Sequence, residues 1–177
     1  MIKTILLFLY NIIRIFFMKC FYGRRIQIHW MQRISPLCSL KVFDKGRLQI
    51  GRNTEFAPYC DFQVHGKGVL NIGAGVYLNR YCMISAHDSI SIGEGCFFGP
   101  GVKIFDNNHK HTPENGVSSE LTTAPITIGN RCWIASDAII LKGSTIGDNC
   151  VIGAGCIIHG NIPDGTVVKC NQKLEFK

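Results

Sequence analysis

Residues 126–163, ITIGNRCWIASDAIILKGSTIGDNCVIGAGCIIHGNIP, decide the fold. Isoleucine stands at 128, 134, 140, 146, 152 and 158, a period of six without an error. The residue four places after each is Cys132, Ala138, Ser144, Cys150, Cys156 and Ile162, mostly small, and Gly follows the Ile at 129, 147 and 153. An amphipathic helix repeats its apolar face about every 3.6 residues and a half-buried strand every second residue, so neither produces this pattern. A hexapeptide period marks a parallel β-helix, each hexad being a short strand plus a turn. Three hexads close one triangular coil, which sets Ile128 beneath Ile146, Ile134 beneath Ile152 and Ile140 beneath Ile158. Glycine is expected to supply the unusual backbone angles at the corners.

Upstream, a clean set of hexads runs through Ile72-Gly73, Leu78, Ile84 and Ile90, slips by two residues, and resumes at Ile92-Gly93, Phe98 and Ile104. Before it the hexads are ragged: Ile50-Gly51, Phe56 and Phe62, broken by His65-Gly-Lys-Gly68. Residues 26–48 read as one strand and an entry into the first coil, for roughly five coils in all. Between Ile104 and Ile126 the stretch FDNNHKHTPENGVSSELTTAP interrupts the repeat without losing register, so 105–125 is expected to protrude from a continuous prism. It is polar, carries two of the six His, and is longer than compact domains usually allow, which marks a functional loop. After Pro163 the tail DGTVVKCNQKLEFK is expected to leave the repeat as a strand or short helix folded back along the prism.

The 177 residues, 46% apolar, suffice for one globular domain, divided as an N-terminal helix over 1–25 and a solenoid with its tail over 26–177. The net charge of +7 is local: seven Lys/Arg and no acid precede Asp44, and from Asp44 onward twelve bases balance twelve acids. That distribution excludes a generally basic nucleic-acid binder and indicates a basic patch. Five of the nine Cys (82, 96, 132, 150 and 156) occupy the small inward slot, and no CxxC exists. Buried thiols of this kind argue against a disulfide framework, a zinc site or a Cys acyl-enzyme, and for a reducing, cytoplasmic compartment. Residues 2–18, IKTILLFLYNIIRIFFM, form an apolar helix with Lys3, Tyr10, Asn11 and Arg14 on one narrow side. No small-residue cleavage site follows it, so a signal peptide is not expected. Two readings stand open. The helix lies in a lipid headgroup region, on the inner face of the cytoplasmic membrane, with Lys19, Arg24 and Arg25 on anionic lipid, or it covers the end of the solenoid.

With these motifs on the page, the stretch from about residue 70 to 163 resembles the hexapeptide-repeat acyltransferases, especially sugar O-acetyltransferases of the galactoside, maltose and nodulation-factor type. The resemblance is carried by Gly75-Val-Tyr77-Leu78-Asn79, Asp106-Asn-Asn-His109 and Ile128-Gly-Asn-Arg-Cys-Trp133-Ile-Ala-Ser136, with a spacing of 30 from Asn79 to His109. It implies an all-β fold, a left-handed parallel β-helix, working as a homotrimer with acetyl-CoA sites at the clefts between subunits and no metal. It further implies His109 as general base, Asn79 as an acceptor contact, and Ser136 and Ala154 along the CoA arm. His87 and Asp106 are candidate acceptor contacts, Lys169 and Lys173 candidate partners for CoA phosphates. The chain departs from the pattern after the last coil, where Cys170-Asn171-Gln172 replaces a Gly-x-Pro segment.

The chemistry has its own requirement. Moving an acetyl group from a thioester to an alcohol needs a base for the hydroxyl proton, and a neutral imidazole, with a reference pKa of about 6.5, suits that near neutrality. The other ring nitrogen must be held, by Asp106 or a backbone carbonyl, to fix the tautomer. His111, two residues on, is an alternative base. Trp133 reads as a packing residue rather than a platform for adenine. The expected function is acetyl-CoA-dependent O-acetylation of a sugar hydroxyl in bacterial surface polysaccharide assembly. N-acetylation of an amino sugar, γ-class carbonic anhydrase-like chemistry and a non-catalytic trimeric scaffold remain alternatives.

Overall fold

The computed structural model describes residues 2–170. After helix α1 (Ile2–Tyr22) and one 3-10 turn (Gly23–Arg25), the chain winds into coils of three short strands. Coil one is β1 (Ile26–Ile28), β2 (Arg33–Ile34) and β3 (Ser39–Val42). Coil two is β4 (Arg47–Ile50), β5 (Glu55–Phe56) and β6 (Asp61–Val64). Coil three is β7 (Val69–Ile72), β8 (Tyr77–Leu78) and β9 (Met83–Ala86). Coil four is β10 (Ser89–Ile92), β11 (Phe97–Phe98) and β12 (Lys103–Phe105). A hairpin, β13 (Asn107–Thr112) and β14 (Gly116–Thr123), interrupts the winding. Coil five is β15 (Ile126–Ile128), β16 (Trp133–Ile134) and β17 (Ile139–Leu141); coil six is β18 (Thr145–Ile146), β19 (Val151–Ile152) and β20 (Ile157–Ile158). Two further strands, β21 (Asn161–Ile162) and β22 (Val167–Val168), begin a seventh coil. All inter-coil pairs are parallel, stacking into faces of seven, seven and six strands, hereafter faces one, two and three in coil order.

The isoleucine ladders lie where the six-residue period puts them: Ile128 pairs with Ile146, Ile134 with Ile152 and Ile140 with Ile158. The count of roughly five coils is too low. Ile28, Ile50 and Ile72 are successive register partners, so the first coils advance by 22 residues rather than 18. The surplus lies in four-residue strands that send two side chains inward, Leu48 with Ile50 and Phe62 with Val64, which is why the hexads look ragged there. The tail also stays in the repeat longer than expected, since Val167 and Val168 pair with Val151 and Ile152.

The glycines after Ile serve a different purpose from the one expected. A Cβ on Gly129 would stand 2.4 Å from the Asp148 Oδ1 and 2.6 Å from the Gly147 carbonyl carbon of the next coil. Coil stacking at about 4.8 Å leaves no room there for a side chain. The left-handed corner positions fall elsewhere, at Arg131, Asp137 and Asn149 (φ of 53°, 57° and 57°) and at other glycines such as Gly143 and Gly155 (φ of 77° and 67°).

The small inward slot holds more cysteines than the hexads suggest, because Cys38 and Cys60 join it. Most of these thiols sit one coil below a carbonyl that accepts from them: Cys60 Sγ to Asn79 O at 3.1 Å, Cys132 Sγ to Gly147 O at 3.0 Å, Cys150 Sγ to Pro163 O at 3.1 Å. All nine cysteines are free, and burial pushes the Cys150 and Cys156 thiols up. Cys150 and Cys156 are buried packing groups, poor as nucleophiles.

Helix α1 covers the open end of coil one. Ile15, 1% exposed, joins the solenoid core. Asn11 is buried and donates to the Ile34 carbonyl at 3.0 Å; Arg14 donates to the Cys38 carbonyl at 2.8 Å. The carbonyls of the first coil have no coil beneath them, and these two side chains supply the missing donors.

Candidate active site

The protruding segment is an antiparallel hairpin, β13 on β14, with a register shift between His109 and His111. Its root is Asp106, fully buried. The carboxylate accepts from the backbone N–H of His87 at 2.8 Å, of Asp88 at 2.8 Å, and from Asn107 Nδ2 at 3.2 Å. Asp106 is therefore sealed into the corner of coil three, where it positions the hairpin instead of meeting an acceptor. Farther out, Lys110 and Glu120 form an ion pair of 2.6 Å across the strands, and Lys142 Nζ reaches Thr122 Oγ1 at 2.9 Å, tying the hairpin to coil five.

His109 is exposed, and its Nδ1 lies 3.0 Å from the Ser118 carbonyl oxygen on the facing strand. A carbonyl only accepts, so in the neutral imidazole Nδ1 carries the proton and Nε2 keeps its lone pair. Of the two holders considered for the tautomer, the backbone carbonyl is the one in place. His111 is also exposed, at the far side of the register shift. His87 is half-buried and stacks on His65 at 4.5 Å, which in turn stacks on Phe43 at 4.6 Å. Burial, reinforced by His65 and opposed by Asp106, holds the His87 imidazole below the ordinary histidine range.

Asn79, Ser136, Ala154 and Lys169 share one edge of the prism. Each follows a face-two strand, β8, β16, β19 or β22, at the turn toward face three. Backbone bonds knit this edge vertically: Gly101 N to Arg80 O, Asp137 N to Pro100 O, Gly155 N to Ser136 O, all 2.9 Å. With coils about 4.8 Å apart, Asn79 and Lys169 are four spacings, about 19 Å, apart along a straight edge. The Asn79 Oδ1 accepts from the Arg80 N–H at 2.8 Å, which turns the amide NH2 away from the backbone. Lys173 lies outside the described residues.

His109 leaves from the other side of face three, at the edge shared with face one. Between the two edges lies β9, four residues and about 13 Å long. One chain thus gathers Asn79, Ser136, Ala154 and Lys169 along one edge, and His87, Asp106 and His109 at another.

Sequence reading alone does not single out Tyr59 and Tyr81. They stack at 5.4 Å on the Asn79 edge, both exposed and both at positive φ. Their 22-residue separation is the coil length of this part of the chain, and that is the signal that locates them. Trp133, read as a packing residue, is 55% exposed on the outer side of face two, beside Phe97 at 56%. Among the described residues no three His, Cys, Asp or Glu side chains converge as a metal site.

A parallel solenoid with a His-bearing hairpin and a continuous polar edge has counterparts among known proteins. Residues 125–160 match the family model of the bacterial transferase hexapeptide (six repeats). Galactoside O-acetyltransferase of Escherichia coli K12 is 40% identical over 79 residues, 45% of this chain and 39% of that protein. The putative lipopolysaccharide biosynthesis O-acetyl transferase WbbJ of the same organism is 30% identical over 90 residues, 46% of each chain. Among solved structures, a variant of the N-acyltransferase AntD from Bacillus cereus, in complex with dTDP-4-amino-4,6-dideoxyglucose and coenzyme A, superposes with a TM-score of 0.69 over 84% of this chain and 80% of that one. At 15% identity that likeness shows the fold. The chain spans less than half the length of the curated relatives it matches. The likeness to the bacterial hexapeptide transferases lies in this repeat segment.

Proposed function

We propose that the protein is an acetyl-CoA-dependent O-acetyltransferase acting on a sugar hydroxyl, with a site completed between copies of the chain. The observation that carries the reading is the hydrogen bond from His109 Nδ1 to the Ser118 carbonyl, which leaves Nε2 as an exposed acceptor on a braced hairpin. In the reaction Nε2 takes the hydroxyl proton as the sugar oxygen attacks the thioester carbonyl carbon. The tetrahedral intermediate, its oxyanion held by N–H donors, collapses by breaking the carbon–sulfur bond. The departing CoA sulfur takes the proton back from the imidazolium, leaving His109 neutral and the acetyl ester formed.

The edge of Ser136, Ala154 and Lys169 suits the extended arm of CoA. Ser136 is half-buried, Ala154 is exposed, and Lys169 brings a cation to the end farthest from Asn79. Asn79, at the near end, is placed to donate to the acceptor. Because face three separates it from its own His109, the base that meets this Asn79 comes from a neighbouring copy. The exposed Phe97–Trp133 stripe on face two is an apolar surface for that association. Relatives named for lipopolysaccharide and colanic acid biosynthesis support a surface-polysaccharide precursor as the acceptor.

Titration calorimetry with CoA tests the edge. Ala154→Trp fills it and should abolish binding, whereas His109→Ala should bind CoA like the wild type. Undiminished binding by Ala154→Trp would place CoA elsewhere.

A further inference from the structure

Helix α1 is amphipathic in the reverse sense for a soluble protein. Asn11, Ile15, Met18 and Tyr22, on one helical stripe, face coil one, and Arg14 reaches inward beside them. The opposite side is apolar and bare: Leu9, Ile13, Phe17 and Phe21 are 53%, 58%, 65% and 81% exposed. Ile12, Ile13, Phe16, Phe17 and Trp30 line a wholly apolar hollow of about 560 Å³ on that side.

A basic cleft of about 690 Å³ adjoins this face at the C-terminal end of the helix, with Lys19, Arg24, His29 and Arg52 among its lining. Lys19 Nζ stands 4.2 Å from the centroid of the Trp30 ring, which is 43% exposed. A tryptophan beside cations, at the border of an apolar surface, is the arrangement found at headgroup depth. No acidic residue precedes Asp44 to oppose an anionic partner.

We propose that α1 docks the protein on an anionic lipid surface, the helix lying in the interface plane and the prism standing on its N-terminal end. The helix is long and apolar enough to cross a membrane. Its hydrogen bonds from Asn11 and Arg14 to the Ile34, Ser35 and Cys38 carbonyls hold its middle flat against coil one, which requires the in-plane position. The hairpin leaves coil four, three spacings or about 14 Å from coil one along the axis. A glycan on a membrane carrier would meet it there; that consequence rests on the transferase reading, and the docking does not.

The test is sedimentation of the full chain with phosphatidylcholine vesicles, with and without phosphatidylglycerol, at low and high salt. Binding is expected only with phosphatidylglycerol and is expected to weaken with salt. Phe17→Gln with Phe21→Gln, both pointing away from the solenoid, should lose binding while keeping the wild-type unfolding midpoint. Each basic residue at the surface is worth about fivefold, so Lys19→Gln with Arg24→Gln should bind about 25-fold more weakly. Failure to sediment, or equal sedimentation without phosphatidylglycerol, overturns the proposal. So does vesicle binding that survives alkaline carbonate, which would mean a spanning helix. Self-association that Phe17→Gln removes, without vesicle binding, would show a second copy as the occupant and equally overturn it.

Discussion

His109 keeps one nitrogen free because Ser118, on the facing strand, takes the other. Its neighbours in the sequence made this histidine the candidate base; its holder was not legible there, since the partner lies nine residues away across a hairpin. Asp106 shows the converse. A carboxylate three residues from a candidate base invites a charge-relay reading, yet its oxygens are occupied by the amides of His87 and Asp88. His87 has a consequence of its own. Burial first, then His65, makes the native imidazole harder to protonate than in the unfolded chain, with Asp106 opposing. The unfolded state therefore binds more protons as pH falls through about 6.5, so stability is full above that value and declines below it. Guanidinium unfolding at pH 7.5 and 5.5 should show a smaller loss for His87→Gln than for the wild type; equal losses would remove His87 from the account.

At the scale of elements, the coils from Ile126 onward were readable because each hexad there is one strand and one corner. The first coils were not, because they repeat every 22 residues, which is not a multiple of six. Cys38, Cys60 and Cys82, the pair His65 and His87, and the pair Tyr59 and Tyr81 all keep that interval. The protruding segment was placed correctly, but its strands were hidden by a run of polar residues, since a two-stranded hairpin in solvent needs no apolar alternation. What fixes the hairpin is its buried root. Asp106→Ala would leave two corner amides without acceptors, costing about 3 kcal/mol and lowering the melting temperature by about 6–12 °C. Calorimetric melting checks this, and an unchanged melting temperature would show that the carboxylate does not anchor the hairpin. For α1 the stripe of Asn11, Ile15 and Met18 closes the solenoid, and the exposed apolar stripe is the one the docking proposal assigns to lipid.

At the scale of the whole molecule, Asn79 and His109 leave the prism at opposite edges of face three, so on the proposed reading a single chain carries half a site. Composition and spacing gave no hint of this, because 30 residues of a solenoid say how many coils intervene but not which edge faces which. If the site forms between copies, Asn79→Ala and His109→Ala are each inactive alone, yet mixed oligomers contain junctions with both wild-type residues. Co-expressed and copurified, the two variants should recover about a quarter of the wild-type rate. Recovery of none, in oligomers shown to contain both, would mean that Asn79 and His109 serve the same chain.

The most direct measurement is release of free CoA thiol from acetyl-CoA with a panel of sugars, nucleotide sugars and lipid-linked sugars, wild type against His109→Ala. The account predicts acceptor-dependent release that falls by about 10²–10⁴ in the variant, with CoA binding retained. Release that continues undiminished in His109→Ala would contradict it.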